Sequence, residues 1–545
     1  MRRILQVFYI IFSAFIFSMA TQNELLLLGS PFLGLFSLVP LYLALRNSKS
    51  FLESSLLTGL QTMTVHLISS FWLGNFRDFA IFTLGASAIG TGVIGMIFGC
   101  FFYYIMGNST AENCECDTGS KKVTRRIFLF AAIWTMYEWA KSSGFLAYPW
   151  GTLIMTSYKW SLLTQIVAIT GTWGISFLFS LFSAVVAEGI YLIPKSFKSS
   201  FKNTTFFYSR CGVVCILIFM ITILYGTFEY TKKRTPIKTM QTVMVQQNMD
   251  SWNGGTDSTA INISAKLTNK GIDECIKATN NKPDLIVWSE AVISYAFPEA
   301  ENYYRSHPSP TPLIPFIQKT NIPFIIGAPV TINKEKRQFG NATIFFDKDG
   351  NYLDYYAKMQ LVPFAEIIPG TQYEWVRKIF DTIIGFSSGW TQGTKLTLFD
   401  IPLQDGDSVK ISTPICFEDA FPPVCRALYL AGSEVFVNLT NDSWSMTKSA
   451  EYQHFAIASF RAIEYRTTLL RSTNSGYSVV VDPVGKVLYD LPLFEAASLY
   501  APVPVYEREK TFYAIFGDWF PNLIRILLVL GILIEGFKKI KESKK

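Results

Sequence analysis

Apolar residues recur along this chain in two rhythms. Before residue 235 they come as seven long runs, at about 4–19, 25–45, 51–73, 79–106, 127–146, 162–193 and 211–228, and an eighth covers about 523–537. Most approach the roughly 20 residues an α-helix needs to cross a bilayer; the first and last are shorter. Between about 238 and 507 the rhythm shortens. β-rich runs at 242–247, 284–288, 323–328, 342–346, 409–415, 435–439 and 477–482 alternate with polar or helical stretches such as 261–279 and 452–466. Short apolar runs separated by helical periods predict a buried sheet covered by helices. The chain therefore divides into a seven-span transmembrane domain (1–234), an α/β domain (235–508), and a C-terminal transmembrane helix with a basic tail (509–545).

Composition supports that division. Half of the 545 residues are apolar and 16% are charged, against roughly 25% charged in a soluble domain. The net charge of +7 is not a nucleic-acid footprint, because the basic residues cluster beside apolar runs, where they report orientation. Arg2 and Arg3 open the chain. Arg46 and Lys49 follow the second run, Lys121, Lys122, Arg125 and Arg126 the fourth, and Lys195, Lys198, Lys202 and Arg210 the sixth. The positive-inside rule puts these connections and the amino terminus in the cytoplasm. Seven crossings then place the α/β domain outside, and the eighth returns Lys538, Lys539, Lys541, Lys544 and Lys545 to the cytoplasm. A signal peptide ending at Ser18-Met19-Ala20 competes for the first run; a retained helix is preferred, because a second span follows at once and the charge alternation needs it. Glu138 and Lys141, near the outer end of the fifth run, are expected to face protein or water and to pair with each other. The aromatic loop 144–151, with Trp150, reads either as an interfacial anchor or as part of a lipid gate.

The chemistry lies in the α/β domain. Cys416 falls where the 409–415 run should end, and is expected to be exposed at a sheet edge. Glu290 follows the 284–288 run, and Lys358 follows Tyr355-Tyr356-Ala357. A thiol attacks a carbonyl when a base takes its proton and a positive group stabilises the oxyanion. Glu290 can serve as base, Lys358 as cation and Cys416 as nucleophile; Glu366 and Glu418 can orient the lysine or supplement the base. Only three histidines exist, His66 in an apolar run, His307 in a proline-rich loop and His454 in a helical stretch, so a Cys-His dyad is open to His454 alone. The eight cysteines make no disulfide framework. Cys114 and Cys116, with no second close pair and no histidine beside them, are read as a polar loop, and no metal site is expected.

The ordered set Tyr148-Pro149-Trp150-Gly151, Val245-Gln246-Gln247-Asn248, Leu361-Val362-Pro363-Phe364 with Glu366, Cys416 with Glu418, Asn441-Asp442-Ser443-Trp444, Arg461-Ala462-Ile463-Glu464, Arg471-Ser472-Thr473-Asn474-Ser475-Gly476 and Gly517-Asp518-Trp519 resembles the nitrilase superfamily. Within it, the chain is similar to the membrane-embedded branch, the apolipoprotein N-acyltransferases, over essentially its whole length. The resemblance implies an αββα sandwich, a triad of Glu290, Lys358 and Cys416 supported by Glu366 and Glu418, and substrate contacts at Trp252, Trp150, Phe417 and Trp444. Phe417 stands where that family usually has tyrosine, and Ser289 replaces a proline before Glu290. The implied reaction moves an acyl chain from a glycerophospholipid through a Cys416 thioester to the α-amine of a diacylglyceryl-cysteine at a lipoprotein's amino terminus. No cofactor and no nucleic acid are implied. The implied location is the bacterial inner membrane, with the catalytic domain periplasmic and both termini cytoplasmic. Two alternatives stand beside this reading: a membrane-tethered amidase of nitrilase type, and a non-enzymatic membrane scaffold or transporter.

Overall fold

The computed structural model describes residues 2–76, 80–106, 118–192, 202–250, 256–368, 370–371, 373–384 and 389–543. It forms two compact units, one made of Met1–Gly74, Asp78–Thr231 and Ile515–Lys545, the other of Lys232–Ala514 with the short tip Asn75–Arg77.

The first unit is helical. Four of its described helices are long and apolar enough to cross a membrane: Arg2–Ala20, Ile81–Met106, Trp173–Leu192 and Tyr208–Thr231. Phe51–Ser69, Thr118–Lys141 and Trp519–Ser543 accompany them. The amino-terminal helix is part of the bundle: Gln6 Nε2 donates to Ala44 O at 3.2 Å and Ser13 Oγ to Ser37 O at 2.7 Å. The apolar run 25–45, expected as one span, is instead two short helices, Pro31–Phe36 and Val39–Arg46. Each has a proline in its first turn, a position that suits the start of a helix and not its interior. The run 162–193 is broken in the same way, by Gly171 at φ 62°, before the Trp173–Leu192 helix begins. Between Phe51–Ser69 and the helix that ends at Met106, a Cβ at Gly99 would lie 2.7 Å from Ser55 Cα. Small residues allow that backbone approach, and Ser54 Oγ uses it to donate to Gly99 O at 2.8 Å.

Glu138 and Lys141 do not pair as expected. Lys141 Nζ donates to Trp150 O at 2.6 Å and to Gly151 O at 3.2 Å, while Glu138 Oε1 accepts from Leu153 N at 2.8 Å and Trp134 Nε1 at 3.1 Å. A buried loop backbone has polar groups to satisfy, and the two side chains satisfy them from opposite ends. That buries Trp150 and leaves Phe145 and Leu146 exposed.

The described residues of the second unit form twelve strands in two six-stranded sheets. The first comprises β1 (Lys238–Gln246), β2 (Leu285–Trp288), β3 (Phe324–Asn333), β4 (Gln338–Phe346), β5 (Tyr352–Ala357) and β12 (Ala497–Val505), in the order β12-β1-β2-β3-β4-β5. The other comprises β6 (Phe399–Pro402), β7 (Ser408–Ser412), β8 (Val435–Thr440), β9 (Thr468–Thr473), β10 (Val479–Val481) and β11 (Val487–Asp490), ordered β11-β10-β9-β8-β7-β6. Each sheet has a parallel centre, β1-β2-β3 and β7-β8-β9, and antiparallel flanks. Alternation along β2 turns Ile286 and Trp288 toward a layer containing Ile261, Ile314 and Phe316. The sheets meet through polar bridges: Ser472 Oγ donates to Val287 O at 3.3 Å, and Ser478 Oγ to Gln246 Oε1 at 2.7 Å. With helices such as Asp257–Thr279 and Lys448–Tyr465 in the outer layers, this is the nitrilase-like αββα sandwich.

Candidate active site

Parallel strands present their carboxyl ends on one side of a sheet, and ligands of such folds bind there. Glu290 lies two residues beyond β2, Lys358 directly after β5, and Asp442 two residues beyond β8. Cys416 follows β7, with a difference from the sequence reading: the strand stops at Ser412, because Pro414 has no N–H for a ladder. Ile415 then makes an isolated bridge to Leu439, and Cys416 opens a 3₁₀ turn at φ 48°. A β-carbon disfavours that left-handed conformation, so the tertiary contacts hold the turn. Cys416 is partly buried rather than exposed, and β6, not β7, forms the sheet edge.

Glu418 supplies those contacts. Its Oε2 accepts from Ile415 N at 2.7 Å, and its Oε1 from Met359 N at 2.6 Å and Gln360 N at 3.0 Å. Tyr356 OH reaches both oxygens at 3.0 Å. One carboxylate thereby ties the segment after Lys358 to the turn bearing Cys416. Burial pushes its carboxyl up to about 7 even though these donors oppose the shift.

Lys358 is 1% exposed. Its Nζ lies 2.8 Å from Glu366 Oε1 and 3.5 Å from Glu290 Oε1. Burial works against its charge, but Glu366, Glu290 and the neighbouring Cys416 outweigh it and raise the ammonium well above its usual range. Glu290 is shifted up, first by burial and then by Glu366, against the pull of Lys358. Its Oε2 accepts from Asn441 N at 2.9 Å, and its Oε1 from Asn341 Nδ2 at 2.7 Å. Gly327 on β3 permits this position: a Cβ there would lie 2.5 Å from Glu290 Cα. Burial, with Glu290 and Asp442 nearby, raises the Cys416 thiol well above 9, and Lys358 opposes them. Glu290, Lys358, Glu366 and Cys416 thus come together, with Glu418 below them. A carboxylate with raised proton affinity beside a thiol and a fixed ammonium can take the thiol proton while the ammonium stabilises an oxyanion.

The expected lipid contacts fall in different places. Phe417 is 7% exposed, its ring 4.6 Å from that of Phe421. Trp444 is partly buried and meets Phe76 edge-on at 5.2 Å. Trp150 is 4% exposed within the helical unit, beside Tyr148 at 5.4 Å. Trp252, Cys114 and Cys116 lie outside the described residues. His454 is no base for Cys416, because its Nδ1 faces Asp442 Oδ2 at 2.6 Å and its Nε2 faces Asp419 Oδ1 at 2.9 Å. Among the described residues no group of His, Cys, Asp and Glu could hold a metal ion.

Two residues at the site had been given no role from the sequence. Asn341 bridges Glu290 and Glu366, which its Nδ2 reaches at 3.0 Å, and its carbonyl accepts from Lys358 N at 2.8 Å. An amide directly before the apolar run 342–346 was the available signal. Asp442 accepts from Cys416 Sγ at 3.9 Å; its signal was a carboxylate just past an apolar strand.

Residues 244–511 match the carbon-nitrogen hydrolase family, and residues 13–185 match the apolipoprotein N-acyltransferase N-terminal domain. A relative in Treponema denticola, apolipoprotein N-acyltransferase 2, is 44% identical over 98% of this chain and 98% of its own. Its namesake in Treponema pallidum is 38% identical over 96% and 93%. The apolipoprotein N-acyltransferase of Borreliella burgdorferi is 29% identical over 98% and 96%.

Proposed function

The chain belongs to the apolipoprotein N-acyltransferase family, and from that premise we propose that it is a membrane acyltransferase working through a Cys416 thioester. The observation that carries the reading is the pairing of Lys358 with Glu290 and Glu366, 3.5 and 2.8 Å away, next to the partly buried Cys416.

Glu290 takes the Cys416 proton as sulfur attacks the ester carbonyl of a glycerophospholipid. The tetrahedral oxyanion forms near Lys358 Nζ. Its collapse breaks the acyl C–O bond, and Glu290 returns the proton to the departing glycerol oxygen, releasing a lysophospholipid. The α-amine of a diacylglyceryl-cysteine at a lipoprotein's amino terminus then attacks the thioester. Glu290 takes a proton from the amine, the C–S bond breaks, and that proton returns to sulfur, leaving an amide and a free thiol. Water would compete for the thioester, so a site that excludes it favours the amine. Basic residues after the even-numbered apolar runs support cytoplasmic termini and a periplasmic α/β unit in the bacterial inner membrane.

Mass spectrometry of the intact protein after incubation with phospholipid tests this. One acyl group per chain, on Cys416 and absent after prior alkylation of Cys416, is expected. A protein that releases ammonia from small amides and takes no acyl group is an amidase and overturns the reading.

A further inference from the structure

Behind the Cys416 turn lies a buried charge network for which the two-step transfer has no use. The two oxygens of Asp442 face different ways: Oδ1 accepts from Cys416 Sγ at 3.9 Å, and Oδ2 faces His454 Nδ1 at 2.6 Å. The second ring nitrogen faces Asp419 Oδ1 at 2.9 Å. A ring flanked by two carboxylates donates at both nitrogens only as imidazolium. Arg471 closes the group, with Nη1 3.6 Å from Asp419 Oδ2 and Nη2 3.9 Å from Asp442 Oδ2. Asp419 is fully buried, His454 3% exposed, Arg471 1% and Asp442 7%.

His454 is raised to about 9, since Asp442 and Asp419 outweigh the burial that opposes its charge. Asp442 is held below the usual carboxylate range despite burial, by His454 and Arg471. Glu451, on the same helix as His454, is lifted well above its usual range, chiefly by burial and by Asp442. Asp419 and Asp442 thus face His454 and Arg471. Around the sulfur itself stand Glu290 from the end of β2, Lys358 from the end of β5 and Asp442 from the end of β8, with the Thr440 hydroxyl beside them.

We propose that Asp442 is a positioning residue for the nucleophile: its carboxylate, fixed by the His454 imidazolium clamped against Asp419, holds the Cys416 S–H and keeps the proton on sulfur until the acyl donor arrives. This rests on the reading of Cys416 as the acyl-accepting group. A carboxylate close to sulfur repels a thiolate, and thiolates are the form that oxidants and stray electrophiles attack. The imidazolium moderates that repulsion. Removing one or the other charge therefore moves the thiol in opposite directions.

The test uses the full chain in detergent. Iodoacetamide alkylation of Cys416 is followed at neutral pH by peptide mass spectrometry, and acylation from phospholipid is followed in parallel. Asp442→Asn should raise the alkylation rate about tenfold, the effect of roughly one pKa unit, while still accepting an acyl group more slowly than wild type. His454→Gln should lower the alkylation rate several-fold. Asp442→Glu, which keeps the charge and displaces it, should leave alkylation near wild type and slow acylation. Rates that do not change, or that change in the same direction for Asp442→Asn and His454→Gln, as unfolding would cause, overturn the proposal. So does an Asp442→Asn protein that alkylates quickly and takes no acyl group. Failure of wild type to take an acyl group would instead defeat the reading of Cys416 itself.

Discussion

Glu188 in the helical unit and Glu290 in the α/β unit are both carboxylates buried beside cations, yet only one of them shares its cation with a cysteine. Glu188 is completely buried. It accepts from Tyr42 OH at 2.6 Å, pairs with Arg126, and has Arg46 Nε at 3.8 Å. Every member of that cluster serves another member, which is how an ion group deep in a helical bundle avoids facing lipid. Glu290 also has its oxygens occupied, but Lys358 beside it is shared with Glu366, and the partly buried Cys416 completes the group. Burial and charge pairing alone do not mark a catalytic site. What sets the α/β cluster apart is a cation held by two carboxylates next to a cysteine.

The contrast breaks most sharply at Lys358. Lys358→Met removes the oxyanion's positive partner and leaves Glu290 and Glu366 facing each other. We expect the rate of Cys416 acylation to fall by at least about 10³-fold, at the upper end for loss of one electrostatic stabiliser, with the chain still folded; single-turnover mass spectrometry reads it. A fall under tenfold would make the cation structural, like Arg126. Glu188→Gln should do the reverse. It leaves Arg126 buried with its charge uncompensated, so stability should drop by about 3 kcal/mol, seen as a lower thermal midpoint in detergent. The protein that remains folded should acylate at the wild-type rate.

How far the sequence reveals this site follows from sequence distance. Glu290, Lys358 and Cys416 were legible because each ends an apolar run, and a run's end is a local property. β12 was not, since Pro502 and Pro504 interrupt its pattern; the sheet tolerates them because β12 is an edge strand. β9 hides likewise behind Arg471, whose buried charge only the network around Asp419 and Asp442 makes tolerable. His454 contacts Asp442, 12 residues away, and Asp419, 35 residues away, so its role is set by tertiary packing that no local pattern carries. The helical unit shows the same limit. The apolar runs were plain, but the break at residues 37–38 and the clamp by Glu138 and Lys141 depend on what packs against them.

The smallest expected effect distinguishes support from chemistry within the site itself. Glu418 touches no reacting atom; it staples the Lys358 segment to the Cys416 turn. Its carboxyl is raised from about 4.5 to about 7 by burial, so the folded protein holds a proton there that the unfolded chain releases. The stability this contributes is fully present below about 4.5 and is lost as pH rises through about 7. Glu418→Gln should flatten that dependence: its unfolding free energy should lie below wild type at acid pH, with the gap narrowing by about 3 kcal/mol as pH rises from about 4.5 to about 7. Acylation should slow only about tenfold, because the turn is loosened while Glu290, Lys358 and Cys416 all remain. A loss as large as that of Lys358→Met would place Glu418 among the groups that act on the substrate.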